Sequence, residues 1–244
     1  MSLQKRRDRY FRLGGSYIDR VIGTGPIAYW PLDEGSGAVA RCLVNPAQNG
    51  AYTGVTLAND ATGPFGTPAP YFDGANDYVN VFTAALDAAF NGATGTVMTW
   101  GRVFNAGVWT DAAFRQTVRL LDDGNNYYIL RKTNVANQLQ GRGNAGGGLA
   151  TINAAYSSTG WFFLTSTWSD GNNADEFKLF LNGAQAGAPS AVLNAWSGGG
   201  LFANSTVIGA GSTIPDELWH GWLAHCAVWD RVLSAGEIAT LANP

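Results

Sequence analysis

The sequence predicts an all-β protein, a two-layer antiparallel β-sandwich with short helices near the N-terminus and at the C-terminus. Three observations carry this prediction. Past Pro26, short segments rich in Val, Ile, Phe, Tyr, Trp and Thr alternate with Gly, Asn and Asp clusters, the pattern of many strands joined by turns. The 244 residues are 46% hydrophobic and 12% aromatic but only 14% charged, against about 25% charged in ordinary soluble domains. That excludes a disordered chain, which lacks aromatics and carries high net charge. Finally, Asn182-Gly183 follows Phe177, Leu179 and Leu181 on one strand face, and an Asn-Gly pair tolerates positive φ at both central positions of a hairpin turn.

The elements follow in order. Ser16 is placed to cap a short helix through Val21 and Ile22, stopped by Gly23 and Gly25. The clearest strands are Thr96–Val103, Gln116–Leu121, Tyr127–Lys132, Trp161–Trp168, Glu176–Leu181, Thr206–Gly209 and Leu223–Asp230. Residues 122–126 (Asp-Asp-Gly-Asn-Asn) form a second, longer hairpin loop, and 143–148 and 197–200 read as Gly-rich loops within the domain. Ser234-Ala235-Gly236-Glu237 fits a capping box that opens a C-terminal helix, with Ile238 and Leu241 on one apolar face. We divide the chain into a basic arm with a short helix (1–25) and one β domain (26–244). No run approaches the ~18 apolar residues of a membrane-spanning helix, so no membrane insertion is expected. Cys42 and Cys226 cannot staple a chain of this size. They are expected to be free buried thiols, although neighbouring strands would allow them to pair.

Charge is unevenly placed. Residues 1–20 hold six basic residues against Asp8 and Asp19, a charge of +4, whereas the remainder holds nine basic and sixteen acidic residues, a charge of -7. A basic arm on an acidic body suits docking to nucleic acid or to an acidic partner surface; a solvated terminus has the same composition. We expect a partner to engage Lys5, Arg6, Arg7, Arg9, Tyr10, Phe11 and Arg12. No apolar run follows Arg12 in residues 13–16, so no secretory signal is expected.

Four segments then resemble a known family. Residues 26–37 (Pro-Ile-Ala-Tyr-Trp-Pro-Leu-Asp-Glu-Gly-Ser-Gly) resemble the opening strand of LamG-like jelly-roll domains of the concanavalin A-like lectin/glucanase superfamily. Residues 71–79, Gly160-Trp161 with 179–183, and 221–238 resemble its later strands and last helix. The resemblance implies two antiparallel sheets with the first and last strands close together. It also implies a calcium site in some members, for which Asp73, Asp77, Asp122 and Asp123 are candidate oxygen ligands; each is also a natural turn residue. Arg41 stands where members often carry an Asp, which weakens a site in that loop. On strand β-geometry alone, Tyr29 and Trp30 point to opposite faces.

Enzyme chemistry is not expected. Retaining glycosidases place two carboxyls about 5–5.5 Å apart, and the four Glu residues (Glu34, Glu176, Glu217, Glu237) form no such pair in sequence. His220 and His225 are five apart, an odd spacing that sends them to opposite strand faces, wrong for a shared metal. No nucleophile elbow and no phosphate-cradling loop is present. A sugar site would need an exposed aromatic with amides or carboxylates beside it, and Trp109, Asp111, Asn172, Asn173 and Trp196 are the candidates, although either Trp reads first as sandwich packing. The residues before Tyr29 resemble bacteriophage virion-associated versions of the fold. The expected function is therefore a non-catalytic, lectin-like virion surface protein (capsid decoration or tail-associated) in an oligomer or particle, held through its arm to other virion proteins. The alternatives are an extracellular module binding cell-surface glycans and, third, a glycoside hydrolase.

Overall fold

The structure is a computed structural model and describes residues 16–60, 63–121, 126–170, 176–196 and 200–243. The basic arm, Lys5 through Arg12, lies outside the described residues, as do Asp122, Asp123, Asn172 and Asn173.

Helix α1 (Tyr17–Gly23) opens the described chain, and β1 (Ala28–Trp30), β2 (Val39–Ala40), β3 (Gly50–Thr53), β4 (Thr56–Asp60), β5 (Ala69–Asp73) and β6 (Tyr78–Asn80) follow. Helix α2 (Ala84–Ala89) precedes β7 (Thr94–Val103), β8 (Arg115–Leu121), β9 (Tyr127–Lys132), β10 (Gln138–Ala145) and β11 (Gly148–Ala155). The chain closes with β12 (Phe162–Ser169), β13 (Glu176–Leu181), β14 (Ala184–Ser190), β15 (Val207–Ile208), β16 (His220–Trp229) and α3 (Ala235–Leu241). Two eight-stranded antiparallel sheets result. Sheet A runs β14-β13-β12-β7-β16-β5-β4, with β1 also paired to β16; sheet B runs β11-β10-β9-β8-β15-β6-β3-β2. The predicted sandwich and both predicted terminal helices are present.

The local chemistry is as the sequence reads. Ser16 accepts from the Asp19 amide and Asp19 reaches back, a complete capping box; Ser234 and Glu237 do the same for α3. Asn182 and Gly183 take φ of 50° and 83°, joining β13 to β14 through a turn with positive φ at both positions.

Sheet A is buried on both faces, which a two-layer reading does not anticipate. Toward sheet B, Trp30, Val97, Phe162, Leu164, Trp168 and Val228 join the main core. On the other side Tyr29, Met98, Trp100, Phe163 and Trp229 form a second core, closed by Tyr17 and Val21 of α1 and Ile238 and Leu241 of α3. Tyr29 and Trp30 thus face opposite ways, as expected. Each buried aromatic removes about 150–250 Å² from water, worth several kcal/mol at about 25 cal/mol/Å². The two termini of the fold are tied together: the Arg20 Nη1 donates to the Asn243 carbonyl at 2.7 Å, and the Arg231 Nη2 donates to the Thr24 carbonyl at 2.7 Å.

Two expectations are corrected. Residues 143–148 are not a loop. Gly143 lies inside β10, and β10 and β11 form a long hairpin whose turn is Gly146-Gly147. The glycines are there because β13 leaves no room: a Cβ at Gly141 would stand 2.8 Å from Leu179, and one at Gly143 would stand 3.1 Å from Phe177. His220 and His225 do not face opposite ways. The β16 register shifts between Ala224 and Ala227, and His225 takes a φ of 50°. A bulge inserts one residue and resets the alternation, so both rings meet aromatics of the outer side of sheet A, His220 at Tyr71 and His225 at Tyr17 and Tyr29. Cys42 and Cys226 are both buried and unpaired, and burial pushes the Cys226 thiol up.

Candidate functional site

Strands β8 to β11 lie side by side in sheet B. Val118, Leu120, Tyr128, Leu130, Leu139, Ala150 and Ile152 point into the core. Alternation therefore sends the intervening side chains outward, and the register stacks them in three cross-strand rows. Gln116, Arg131, Gln140 and Asn153 form the first; Arg119, Ile129, Arg142 and Thr151 the second; Leu121, Tyr127, Asn144 and Leu149 the third. A register shift between Gln116 and Val118 keeps Gln116 on the face of Arg119, three residues on.

The first row is a chain of hydrogen bonds. Arg131 Nε donates to Gln140 Oε1 at 2.9 Å, and Gln140 Nε2 donates to Asn153 Oδ1 at 2.8 Å. Glu217, on the loop before β16, accepts from Gln116 Nε2 and lies 3.6 Å from Arg131 Nη1. The Arg131 guanidinium also rests 4.1 Å above the Phe114 ring, and that of Arg142 lies 5.5 Å from the Tyr127 ring. Burial holds the Arg131 guanidinium below its ordinary value; Glu217 opposes this, and the charges of Arg142 and Arg119 add to it.

This face is buried at its centre, exposed along β11 at Leu149, Thr151 and Asn153, and only partly satisfied. Arg131, Ile129 and Gln140 are 6%, 4% and 8% exposed. Of ten buried side-chain polar atoms without a hydrogen-bond partner among the described residues, four lie on this face: Gln116 Oε1, Arg119 Nε, Arg142 Nε and Asn144 Oδ1. Unpaired buried polar atoms are rare and costly in folded proteins. Here both donors and acceptors cluster on one face.

The sequence-derived sugar candidates are placed differently. Trp109 is not a loop platform. It sits in a 3-10 turn, 1% exposed, edge-on to Tyr156, with its Nε1 donating to the Ser158 carbonyl. The turn rotates the indole into the core, so it stacks on protein. Trp196 is half-buried against Phe90 and Tyr128. Asp111 is engaged on the other side of sheet B: its carboxylate accepts from Lys132 Nζ at 2.5 Å and Arg115 Nε at 2.7 Å, and Lys132 pairs in register with the core residue Leu139. Burial alone would raise the Asp111 carboxyl, but these two cations hold it below the usual carboxylate range. Among the calcium candidates, Asp77 accepts from the Asp73 amide and Asp73 accepts from the Ala75 amide, so both serve a turn. Among the described residues no group of three or more His, Cys, Asp or Glu is placed to hold a metal ion. A separate hollow of about 440 Å³ lies among Pro64, Phe65, Trp100 and Trp161. Its polar lining side chain, Asn182, spends its oxygen on the Phe163 amide.

Reading 143–148 as a Gly-rich loop hides the polar face, because β10 runs through Ala145. The usable signal was alternation: Gln138, Gln140, Arg142 and Asn144 interleave with Leu139, Gly141, Gly143 and Ala145.

Residues 73–239 match the family described as the concanavalin A-like lectin/glucanases superfamily, over more than half of the chain. The protein belongs to that superfamily. Solved structures share the fold of this concanavalin A-like chain. A botulinum neurotoxin serotype D ligand-binding domain in complex with N-acetylneuraminic acid aligns with a TM-score of 0.64 at 14% identity, covering 89% of this chain and 50% of that one. A mosaic serotype C/D receptor-binding domain aligns with a TM-score of 0.62 at 14% identity, with coverage of 89% and 50%. Trypanosoma rangeli sialidase aligns with a TM-score of 0.62 at 12% identity, with coverage of 90% and 32%. The chain thus spans about half the length of the toxin domains and about a third of the sialidase chain, and the likeness is one of fold. No curated protein sequence matches the chain. In this concanavalin A-like sandwich the outward face of β8 to β11 gathers the guanidinium and amide groups into a single surface.

Proposed function

We propose that this protein is a non-catalytic, lectin-like module that recognises carbohydrate on the outward face of sheet B. The observation that carries the reading is the ladder of planar guanidinium and amide groups in register across β8 to β11, with donors and acceptors left unpaired. Sugar hydroxyls both donate and accept, so a matching surface needs both. The side-chain amides of Gln116, Gln140, Asn144 and Asn153 carry both acceptors and donors, and the guanidinium groups of Arg119 and Arg142 add donors. Strands hold these groups rigidly, which lowers the ordering cost of binding. Hydrolysis needs two carboxyls, about 5–5.5 Å or 6.5–9.5 Å apart. Among the described residues Glu217 is the carboxylate bonded to this face, and it is tied to Gln116 and Arg131, which favours binding over cleavage. The superfamily and the sugar-bound serotype D domain support the reading. The test is an immobilised glycan array probed with the whole chain and with a Gln140→Ala/Asn153→Ala variant. Binding that falls at least tenfold in the variant is expected; a blank array, or release of reducing ends from the array sugars, overturns the reading.

Charge favours a second element of function. The +4 of residues 1–20 against the -7 of the remainder suits a module attached by its arm to an acidic surface. We assign that surface to a virus particle, with Lys5, Arg6, Arg7, Arg9, Tyr10, Phe11 and Arg12 docking and the sandwich outward. Deleting residues 1–15 should abolish co-sedimentation with particles; unchanged co-sedimentation rejects the assignment.

A further inference from the structure

We infer that the outward face of sheet B selects an acidic glycan, seating its carboxylate or sulfate group between Arg119 and Arg142. This rests on the carbohydrate-binding reading above and names the ligand class for the same face.

The argument is one of unbalanced charge on a partly buried surface. Arg119 and Arg142 both pair with Ile129, one from each side. Adjacent strands are about 4.8 Å apart, so the two backbones stand about 10 Å apart with a small apolar floor between them. Arg131 lies one row away on β9. Three guanidinium groups therefore share the face, while Glu217 is the one carboxylate that bonds to it among the described residues, and Glu217 serves Arg131 and Gln116. Arg119 Nη1 donates to the Gly211 carbonyl at 2.7 Å, leaving its Nε buried without a partner. Arg142 has a buried, unpartnered Nε and, among the described residues, no ion pair. Asp216 stands on the Gly211 loop, where a Cβ on Gly211 would meet its carboxylate, and it pairs with neither arginine among the described residues.

Burying cations beside one another with too few anions is unfavourable; burial is what chiefly holds the Arg131 guanidinium below its ordinary value, Glu217 opposes it, and Arg142 and Arg119 add smaller contributions. A neutral sugar would fill the amide positions and leave this imbalance in place. A carboxylate or sulfate removes it, because each guanidinium presents two parallel donors to two oxygens. Tyr127, beside the Arg142 guanidinium, helps orient it before ligand arrives.

The experiment titrates the whole chain, by calorimetry at low and high salt, with three soluble probes: sialyllactose, a sulfated chondroitin disaccharide and lactose. Sialyllactose or the disaccharide is expected to bind at least tenfold tighter than lactose, with an advantage that shrinks as salt is raised; the two acidic arms tell carboxylate from sulfate. Arg142→Gln and Arg119→Gln should each cut that advantage about tenfold. Arg142→Lys keeps the charge without the fork and should fall between. Circular dichroism of each variant confirms folding. Equal binding of acidic and neutral sugars, or an acidic preference untouched in all three variants, overturns the inference while leaving the carbohydrate reading standing. Failure of all three probes to bind overturns the inference, and a blank array then removes the carbohydrate reading as well.

Discussion

The Tyr29 hydroxyl and the His225 ring meet at 2.8 Å inside the second core, on the side of sheet A away from sheet B. The bulge on β16 turns His225 there, and Tyr17, Phe65 and Tyr29 surround its ring. Its exposure is 0%. Burial drives the imidazole down from 6.5 to about 3, only partly opposed by a backbone hydrogen bond at Pro64.

Stability should therefore depend on His225 in mildly acidic solution. The folded pKa lies below the unfolded one, so between them the unfolded chain binds the extra proton. The stabilisation is complete above 6.5 and is lost as the pH falls toward about 3, at up to about 1.4 kcal/mol per pH unit. Urea midpoints between about pH 5 and 8 check this. The wild type should lose stability below 6.5, whereas His225→Gln should be less stable at high pH but flatter. Parallel curves would reject the assignment.

Glu237 titrates in a different window. Burial pushes its carboxyl up, but hydrogen bonds from Arg231 and from the Ser234 amide and hydroxyl outweigh this and carry it down to about 2. Its contribution is present above 4.5 and is lost as the pH falls through about 2. Glu237→Gln removes half of the capping box and the partner of Arg231, whose Nη2 lies 2.6 Å from Glu237 Oε1. A loss of about 1–2 kcal/mol at neutral pH is expected from chemical denaturation, vanishing in strong acid.

Trp109→Ala should be a stability variant. The indole is a core residue with one hydrogen bond to Ser158, and its removal should cost about 3–5 kcal/mol. Where the variant remains folded at low temperature, its glycan affinity should stay within about twofold of wild type. A large loss of affinity with stability unchanged would show that the indole touches sugar.

Gly141→Ala tests why β10 is rich in glycine. The new methyl would stand 2.8 Å from Leu179 of the facing sheet, an overpacking cost of about 1–3 kcal/mol. At Gly147, on the hairpin turn, nothing lies within 4 Å of an added Cβ and φ is +83°, so Gly147→Ala should carry conformational strain alone. Thermal melts of both separate the two causes, and equal, negligible shifts would show that β10 has space to spare.

The sandwich, the two capped terminal helices and the hairpin at Asn182-Gly183 were legible in the sequence because each rests on local chemistry: a hydroxyl and a carboxylate three residues apart, an Asn-Gly pair, an aromatic and β-branched run. The opposite facing of Tyr29 and Trp30 followed from strand alternation. Parity counting failed at His220 and His225, where a bulge adds a residue and turns both rings outward on one side. The loop expected at 143–148 takes in the end of β10, where Phe177 and Leu179 of the other sheet explain why Gly141 and Gly143 are glycine. With β10 unread, Gln140, Arg142 and Asn144 had no common face. By itself the sequence determined which segments extend, which curl and how the helices begin. Tertiary structure alone decided which side chains stand together across β8 to β11, because register and the packing of one sheet on the other are set by contacts between residues far apart in the chain.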